Sequence, residues 1–446
     1  MKKSLAVLSA IAVSAGLLAG CGGSGDKGNV NSPSPTGQET PDVDYKNMSA
    51  EINIYGPICR GTWEKEFLPL LQEEFPNYKF NLTSECSDKL EIEEAITSGI
   101  KFDMFIDVAA GQLREEFLPA ELGMPMNDLM KKHGIDTFVF DEGYLDSVTI
   151  DGNVYLLPYS NSNFVMYYNK DLFDRFGVEY PWNGMTWDEA IELANKITRN
   201  EGGTSYIGLW MSTEHYLRVN QLSQGFVDPE TNKATVNNEN FRTIFTKLFY
   251  ETTRNPVIQA RAKEKFFQHA DFNRDYVIAM YVYTTGWLKT HATSLPPNWG
   301  VVSVPTFEKG GPGVQTYAKY VGLASTTDDP DAAMQVIKYL IGEEYQTLKA
   351  RQGDMTVLNN KQIQDQFFAE VDNFPVDRQE LIEAVTFNKF APSRPFHRLD
   401  EVVIEGAFAE DVIPEIVRGN MDVNTALQQA EEIANAALQA ELERTQ

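Results

Sequence analysis

The sequence predicts an α/β protein built as two lobes, on three observations. Short β-branched or aromatic runs alternate with amphipathic stretches from Glu51 onward, the pattern of parallel strands joined by helices. The same alternation restarts after about residue 170. The body of about 400 residues also exceeds what one hydrophobic core comfortably holds.

In chain order, "EINIYG" predicts a strand, followed by a helix from Thr62 through "WEKEFLPLLQEEF" with Glu64 and Glu66 in its first turn, where acidic side chains complement the helix dipole. "YKFNLTS" predicts a second strand, "KLEIEEAITSGI" a helix ending near Gly99, and "FDMFIDV" a third strand. The stretch "VYLLPYSNSNFVMYYNKDLF", Val154 to Phe173, has two apolar aromatic runs around Ser160-Asn161-Ser162-Asn163. One strand should not lose its apolar pattern midway, and a hairpin should carry Asn-Gly or Asp-Gly. "TWDEAIELANKIT" opens with a capping box, Thr186 with Glu189, and places Ala190, Ala194 and Ile197 on one face. "SYIGLWM", "YVIAMYVYTTGW" and "NWGVVSVPTF" predict strands, the last ending at Pro305. "DPDAAMQVIKYLIGEEYQ" predicts a helix with Asp329 as cap and Pro330 first. The last helix, "VNTALQQAEEIANAALQAEL", carries an apolar stripe of Ala426, Ala430, Ile433 and Ala437.

The opening "MKKSLAVLSAIAVSAGLLAGC" has Lys2 and Lys3, an apolar run and small residues before Cys21, a secretory signal too short for a membrane span. Leu18-Ala19-Gly20-Cys21 resembles the bacterial lipobox, which implies a lipidated Cys21 as mature N-terminus. The following Gly-, Ser- and Pro-rich segment cannot bury a core and predicts a flexible tether with a reach of about 25–30 Å. The net charge of −26 becomes −28 without Lys2 and Lys3. So acidic a chain argues against nucleic acid, whose binding rests on basic contacts to phosphate. No second apolar run reaches membrane-spanning length, which leaves the membrane reached only through the N-terminal lipid.

Several of these segments, taken together and in order, are similar to the extracellular solute-binding proteins of ABC importers, in the branch that includes maltose-binding protein. "LLPYSNSNFVMYYNKDLFDRFGVEYPWNGMTWDEAIELANKIT" resembles that family's proline, Tyr-Asn-Lys-Asp-Leu run and Thr-Trp-Asp-Glu. "IAMYVYTTGW", "WGVVSVPTFEKGG" and "DVNTALQQAEEIANAAL" match three further landmarks, although Asp275-Tyr276-Val277-Ile278 departs from the glycine that often precedes the Ala-Met pair. The resemblance implies a periplasmic-binding-protein type II fold: two mainly parallel α/β lobes joined by crossing hinge strands and closing on a ligand. The expected organisation is a signal over 1–20 and a tether over 21–49. The N-terminal lobe would comprise 50–160 and 306–356, the C-terminal lobe 161–305 and 357–446. The polar centre of Val154–Phe173 would cross the hinge, with Val301 to Pro305 as the return crossing. The implied role is a lipid-anchored receptor on the outer face of the cell membrane, delivering a sugar or oligosaccharide to an ABC permease.

A neutral sugar offers hydroxyls, suited to planar polar side chains, and C–H faces, suited to aromatic rings. Loops at the carboxyl ends of parallel strands supply Arg60, Trp63 and Glu64 in "PICRGTWE", and Asp107 with Gln112 in "IDVAAGQ". By position in the family pattern, Asn161 and Ser162 fall in the hinge contact and Glu214 and Tyr216 match a Glu-x-Tyr pair. Trp287 falls at or beside a stacking tryptophan, and Arg394 and Phe396 lie near another aromatic contact. Trp187, just after its cap, reads as structural.

Cys59 and Cys86 each lie a few residues past the carboxyl end of a strand, the first and second in order. Neighbouring parallel strands about 4.8 Å apart would leave the sheet at the same edge, near the 5.5–6 Å Cα separation that a disulfide prefers. An exported location permits oxidation, and the bridge would brace the loop carrying Arg60 and Trp63.

No Gly-x-Ser-x-Gly elbow, His-Glu-x-x-His or phosphate-cradling glycine loop is present, and no cofactor or metal is expected. "DFNRD" at Asp271 begins like a calcium loop but lacks glycine at its sixth and glutamate at its twelfth position. Glu64, Asp107 and Glu214 leave open a carbohydrate-active enzyme, which needs two carboxylates across the scissile bond. A sensory sugar-binding module is a further alternative.

Overall fold

A computed structural model of the chain describes residues 45–83, 92–291, 294–371, 376–394 and 396–444. The signal, the lipobox Cys21, nearly all of the tether and Cys86 lie outside these residues. Twelve strands follow in order among them: β1 (Ala50–Tyr55), β2 (Tyr78–Leu82), β3 (Met104–Val108), β4 (Thr149–Ile150), β5 (Asn153–Val154), β6 (Leu156–Ser162), β7 (Phe164–Asn169), β8 (Arg199–Glu201), β9 (Thr204–Met211), β10 (Ile278–Thr284), β11 (Trp299–Ser303) and β12 (Tyr317–Leu323).

Two five-stranded sheets organise two separate cores. The first runs β2-β1-β3-β12-β6, the second β11-β7-β10-β9-β8. Around the first, Ile52, Ile54, Phe105, Leu156, Val321, Val336 and Ile363 are buried; around the second, Val165, Tyr167, Leu209, Met280, Val302, Leu381 and Phe408. Each fully buried large apolar side chain contributes about 1.5–3 kcal/mol, so each sheet, covered by helices, is a self-sufficient lobe.

Both sheets are mixed, where mainly parallel ones were expected. β1 pairs in parallel with β2 and β3, but β12 is antiparallel to β3 and to β6. In the second sheet β9 and β10 alone are parallel, while β7 runs antiparallel to β10 and β11. A strand that arrives from the other lobe has no crossover helix to reverse it, so it enters antiparallel.

The first crossing falls within the expected polar centre, at its last residue, whereas the return falls later than expected. Ser160 to Ser162 belong to β6, paired with Tyr317 to Lys319 of β12, and Asn163 alone separates β6 from β7. Val301 to Ser303 lie in β11 of the second sheet, and Val304 and Val314 are still in its core. The return therefore comes just before Tyr317, about ten residues later than Pro305, because the apolar run that suggested a crossing is a sheet strand. The last passage lies between Ile363, in the first core, and Phe367, in the second.

Local signals mostly took their expected form. Thr186 and Glu189 close the capping box, with the Thr186 backbone N–H donating to Glu189 Oε2 at 2.7 Å. Asp329 Oδ1 accepts from the Ala332 backbone at 3.0 Å. Trp187 is fully buried and its Nε1 donates to Gln221 Oε1 at 2.9 Å. The helix Val423–Arg444 turns Ala426, Leu427, Ala430, Ala434 and Leu438 inward, a stripe displaced by one residue in its second half from the expected Ile433 and Ala437. Asp271 is an interior ion-pair partner, accepting from Arg261 at 2.8 Å and from the Gln268 backbone. No helix among the described residues is long and apolar enough to cross a membrane.

Gly208 in β9 is pressed against the helix Trp187–Ile197: a Cβ there would stand 2.1 Å from the Ala194 carbonyl oxygen. Gly208→Ala must push helix from sheet, an overpacking cost of about 1–3 kcal/mol. Thermal unfolding should show the variant melting several degrees lower, and an unchanged melting temperature would contradict this packing.

Candidate ligand cleft

The carboxyl ends of β1 and β3 open one wall. A Cβ on Gly56 would stand 2.5 Å from the Ile106 carbonyl oxygen, so only glycine lets the first loop leave β1 here. After it Arg60 and Glu64 are exposed, whereas Trp63 is 3% exposed and stacks on Phe67 at 6.0 Å, within the first core. Trp63 is thus a packing residue, because the short helix Arg60–Thr62 runs into a π-helical turn, Trp63–Phe67, that rotates it inward. Asp107, next to the last residue of β3, has φ of +61°, a left-handed conformation unusual for a non-glycine residue. It is held there by Tyr159, whose hydroxyl donates to Oδ1 at 2.7 Å, and by Lys319, which donates to its backbone carbonyl at 3.3 Å. Gln112 closes the following turn by accepting from the Ala109 backbone at 2.9 Å.

The hinge supplies Asn161 and Ser162. A Cβ on Gly286 would stand 2.9 Å from Ser162 Oγ, so the serine sits against the turn after β10. Asn161 is 3% exposed, and neither its Nδ2 nor its Oδ1 has a hydrogen-bond partner. Its backbone is engaged, donating to the Met355 carbonyl at 3.2 Å. A buried carboxamide with both ends unmet is costly.

On the second lobe, Glu214 is exposed on the helix Thr213–Arg218, while Tyr216 is fully buried with its hydroxyl on Gln221 Oε1 at 2.7 Å. Tyr216 packs edge-on to Phe164 and Trp187, which makes it framework. Trp287 is also interior, 6% exposed among Tyr167, Phe272, Tyr281 and Tyr283. The aromatic face that remains partly open in front of it is Tyr283, at 5.2 Å. Phe396 lies under the Arg394 guanidinium at 4.3 Å.

Four neighbours of this wall were missed by sequence. His215 packs edge-on to Tyr283 at 5.3 Å and to Tyr317 at 6.2 Å, with Ser212 Oγ 3.0 Å from its Nδ1. Burial, then the nearby Arg218 charge, pushes the His215 imidazolium down to about 4, leaving it neutral at pH 7. The Tyr283 hydroxyl is raised by burial and by the Glu214 charge, which places Glu214 beside it. Tyr283 was legible as the last residue on the Tyr281 face of its strand, since alternate residues share a face. Tyr317 and Arg218 gave no sequence signal, because they meet only where β12 returns from the other lobe.

Three cations around the cleft are matched by carboxylates. Arg218 contacts Glu401 and Glu405 at 2.7 Å each, Arg394 pairs with Asp400, and Lys319 approaches Asp107 Oδ2 at 3.9 Å. Between the lobes, Lys289 lies 2.9 Å from Asp354 and 3.4 Å from Glu66, and Lys349 lies 3.1 and 3.3 Å from the same two groups. The site can therefore hold neutral polar and aromatic contacts but shows no surplus of positive charge. A separate cavity of about 1070 Å³, lined by Phe138, Tyr144, Met355, Phe367, Ile382 and Phe390 among others, includes none of the expected site residues. Among the described residues no cluster of three or more His, Cys, Asp or Glu could hold a metal ion.

Comparison with known proteins agrees with this architecture. The arabinooligosaccharide-binding protein of Halalkalibacterium halodurans is 23% identical over 406 residues, covering 82% of this chain and 84% of that protein. An sn-glycerol-3-phosphate-binding periplasmic protein of Agrobacterium fabrum is 34% identical over 110 residues, so the chain matches 25% of that relative's length and 23% of its own. A sugar transporter from Rhizobium etli, in an open conformation, superposes with a TM-score of 0.70 at 22% identity, covering 86% of this chain and 99% of that one. The pattern that defines bacterial extracellular solute-binding proteins runs through residues 60–347, more than half of the sequence, and the chain belongs to that family.

Proposed function

We propose that this chain is an exported, lipid-anchored receptor that closes its two lobes on a sugar or oligosaccharide and delivers it to an ABC permease. The observation that carries the sugar reading is the group of partly open aromatic side chains on the second lobe, Tyr283 and Tyr317 packed on neutral His215, where β12 arrives beside the hinge strand. Sugar hydroxyls both donate and accept, and their C–H faces stack on aromatic rings. The arabinooligosaccharide-binding relative supports the same class. The glycerol-phosphate relative suggests an anion instead, but the paired cations do not favour one. A binding role, with no reaction catalysed, fits relatives that are themselves binding proteins. Export and acylation at Cys21 rest on the sequence.

A thermal-shift panel of maltotetraose, arabinotriose, mannobiose and glycerol 3-phosphate tests the ligand class. At a hundredfold excess over Kd a ligand adds about 2.7 kcal/mol to stability. At least one oligosaccharide should raise the melting temperature, and should shrink the radius of gyration in small-angle scattering. Stabilisation by glycerol 3-phosphate alone would replace the sugar reading.

Asn161→Leu should leave ligand-free stability unchanged or higher, because it removes two unmet polar atoms, while weakening oligosaccharide binding roughly tenfold. Tyr283→Ala should weaken binding roughly thirtyfold, from a loss of about 2 kcal/mol at an aromatic contact. Trp287→Ala should instead lower stability by about 3–5 kcal/mol, as a cavity in the core. Calorimetry and melting curves separate these, and the opposite assignment of Tyr283 and Trp287 would restore the tryptophan as the platform.

Cys59 is disulfide-bonded, and we take Cys86 as its partner. Ile54 pairs with Leu82 at the ends of β1 and β2, and the two cysteines follow these residues by five and four positions. Denatured, unreduced protein carrying Cys21→Ser should show no free thiol, and two after reduction; two at the outset would exclude the bridge.

A further inference from the structure

Four charged side chains meet where the lobes touch beside the hinge. Glu66 lies on the π-helical turn Trp63–Phe67 that follows β1, next to Phe67 of the first core. Lys349 lies on the helix Glu343–Arg351, between Tyr345 and Ala350 of the same core, with its ammonium 5.8 Å from the centre of the Phe67 ring. Asp354 follows that helix, and its backbone N–H donates to the Lys349 carbonyl at 3.0 Å. The next residue, Met355, accepts from the Asn161 backbone of β6 at 3.2 Å, which anchors Asp354 one residue from the hinge strand. Lys289 comes from the other lobe, on the helix Leu288–His291, directly after Leu288 of the second core. Its ammonium donates to both Asp354 oxygens, at 2.9 and 3.0 Å, and to Glu66 at 3.4 Å. Lys349 holds the same two carboxylates at 3.1 and 3.3 Å, and its side chain is only 8% exposed.

We propose that Lys289 is an ionic clasp between the lobes: its pairing with Asp354 and Glu66 biases the ligand-free receptor toward closure and makes its affinity for a neutral ligand depend on salt. This rests on the reading of the protein as a hinged receptor. Glu66, Lys349 and Asp354 belong to one lobe and stay together when the lobes part, so Lys289 is the member that leaves. The two carboxylates then share Lys349 alone, with one negative charge in excess. Alternating charges partly withdrawn from water attract more strongly than an exposed surface pair. Separation returns Lys289 and the carboxylates to water, where dissolved ions screen them, so salt favours the open form through the clasp. The general repulsion within a chain of net charge −26 has the opposite sign, since screening it favours the compact form. Ligand and clasp both favour closure, so losing the clasp also weakens ligand binding.

Small-angle scattering of the ligand-free protein tests the clasp by giving the closed-to-open ratio. In about 20 mM salt, Lys289→Met should lower that ratio roughly fivefold, equivalent to about 1 kcal/mol. Asp354→Asn should lower it as well, and should add little when Lys289 is already replaced, because the pair is then gone. The gap between wild type and Lys289→Met should narrow in about 1 M salt, where the Debye length falls to about 3 Å. Lys263→Met, at an exposed position of the second-lobe helix Pro256–Glu264, removes the same charge elsewhere and should keep the wild-type ratio. Circular dichroism confirms that each variant is folded. A Lys289→Met ratio equal to that of the wild type or of Lys263→Met in low salt, a gap that grows with salt, or additive effects in the double variant overturns the proposal. Compaction of the wild type by oligosaccharide judges the hinged receptor separately, so loss of the clasp and loss of the hinge give different results.

Discussion

A single residue, Asn163, carries the chain from one lobe to the other, and its hydrogen bonds set the geometry on which the cleft depends. Its backbone N–H donates to Thr285 Oγ1 at 3.1 Å and its carbonyl accepts from the Thr285 backbone at 2.8 Å. Its side chain donates to the Val385 carbonyl at 2.7 Å and accepts from the Phe164 backbone at 2.8 Å. A buried crossing must satisfy its own polar groups, and here the carboxamide does what a sheet neighbour would otherwise do. Because β6 ends and β7 begins on either side of this residue, the first of the three passages between the lobes is a single residue long, and the return before Tyr317 and the passage after Ile363 complete the hinge.

Two residues earlier the same side chain has the opposite fate. Asn161 is equally buried, yet both ends of its carboxamide are unmet. The fold thus distinguishes two asparagines in one tetrapeptide, one with its carboxamide fully engaged and one with its carboxamide unmet. Strain gathers nearby in the left-handed Asp107, pinned by Tyr159 and Lys319. Three π-helical turns, Trp63–Phe67, Leu113–Phe117 and Val402–Val412, carry or adjoin cleft groups. Such turns and strained residues recur where a site must be positioned against the preference of the backbone.

Ion pairs mark the interface between the lobes. At Lys289, Lys349, Glu66 and Asp354 opposite charges alternate, so the cluster is close to neutral and holds the lobes at that edge. On the second lobe Arg218 with Glu401 and Glu405, and Arg394 with Asp400, repeat the pairing of cation with carboxylate.

The elements were legible in the residues alone, because their signals are local. Thr186 with Glu189, Asp329 with Pro330, and the period-two apolar runs act within a few residues of themselves, and each produced the predicted helix or strand. Family position and loop order likewise pointed to Asn161, Asp107 and Glu214 as candidates. Packing between distant segments set which side of an element faces solvent and which faces core. Trp63, Tyr216 and Trp287 look like ligand platforms in sequence, yet a π-helical turn or a neighbouring aromatic ring turns each inward. Conversely, Tyr283, Tyr317 and His215 meet only through segments distant in the chain. Burial, and with it the unmet carboxamide of Asn161, is a property of three-dimensional packing, to which no local pattern of residues gives access.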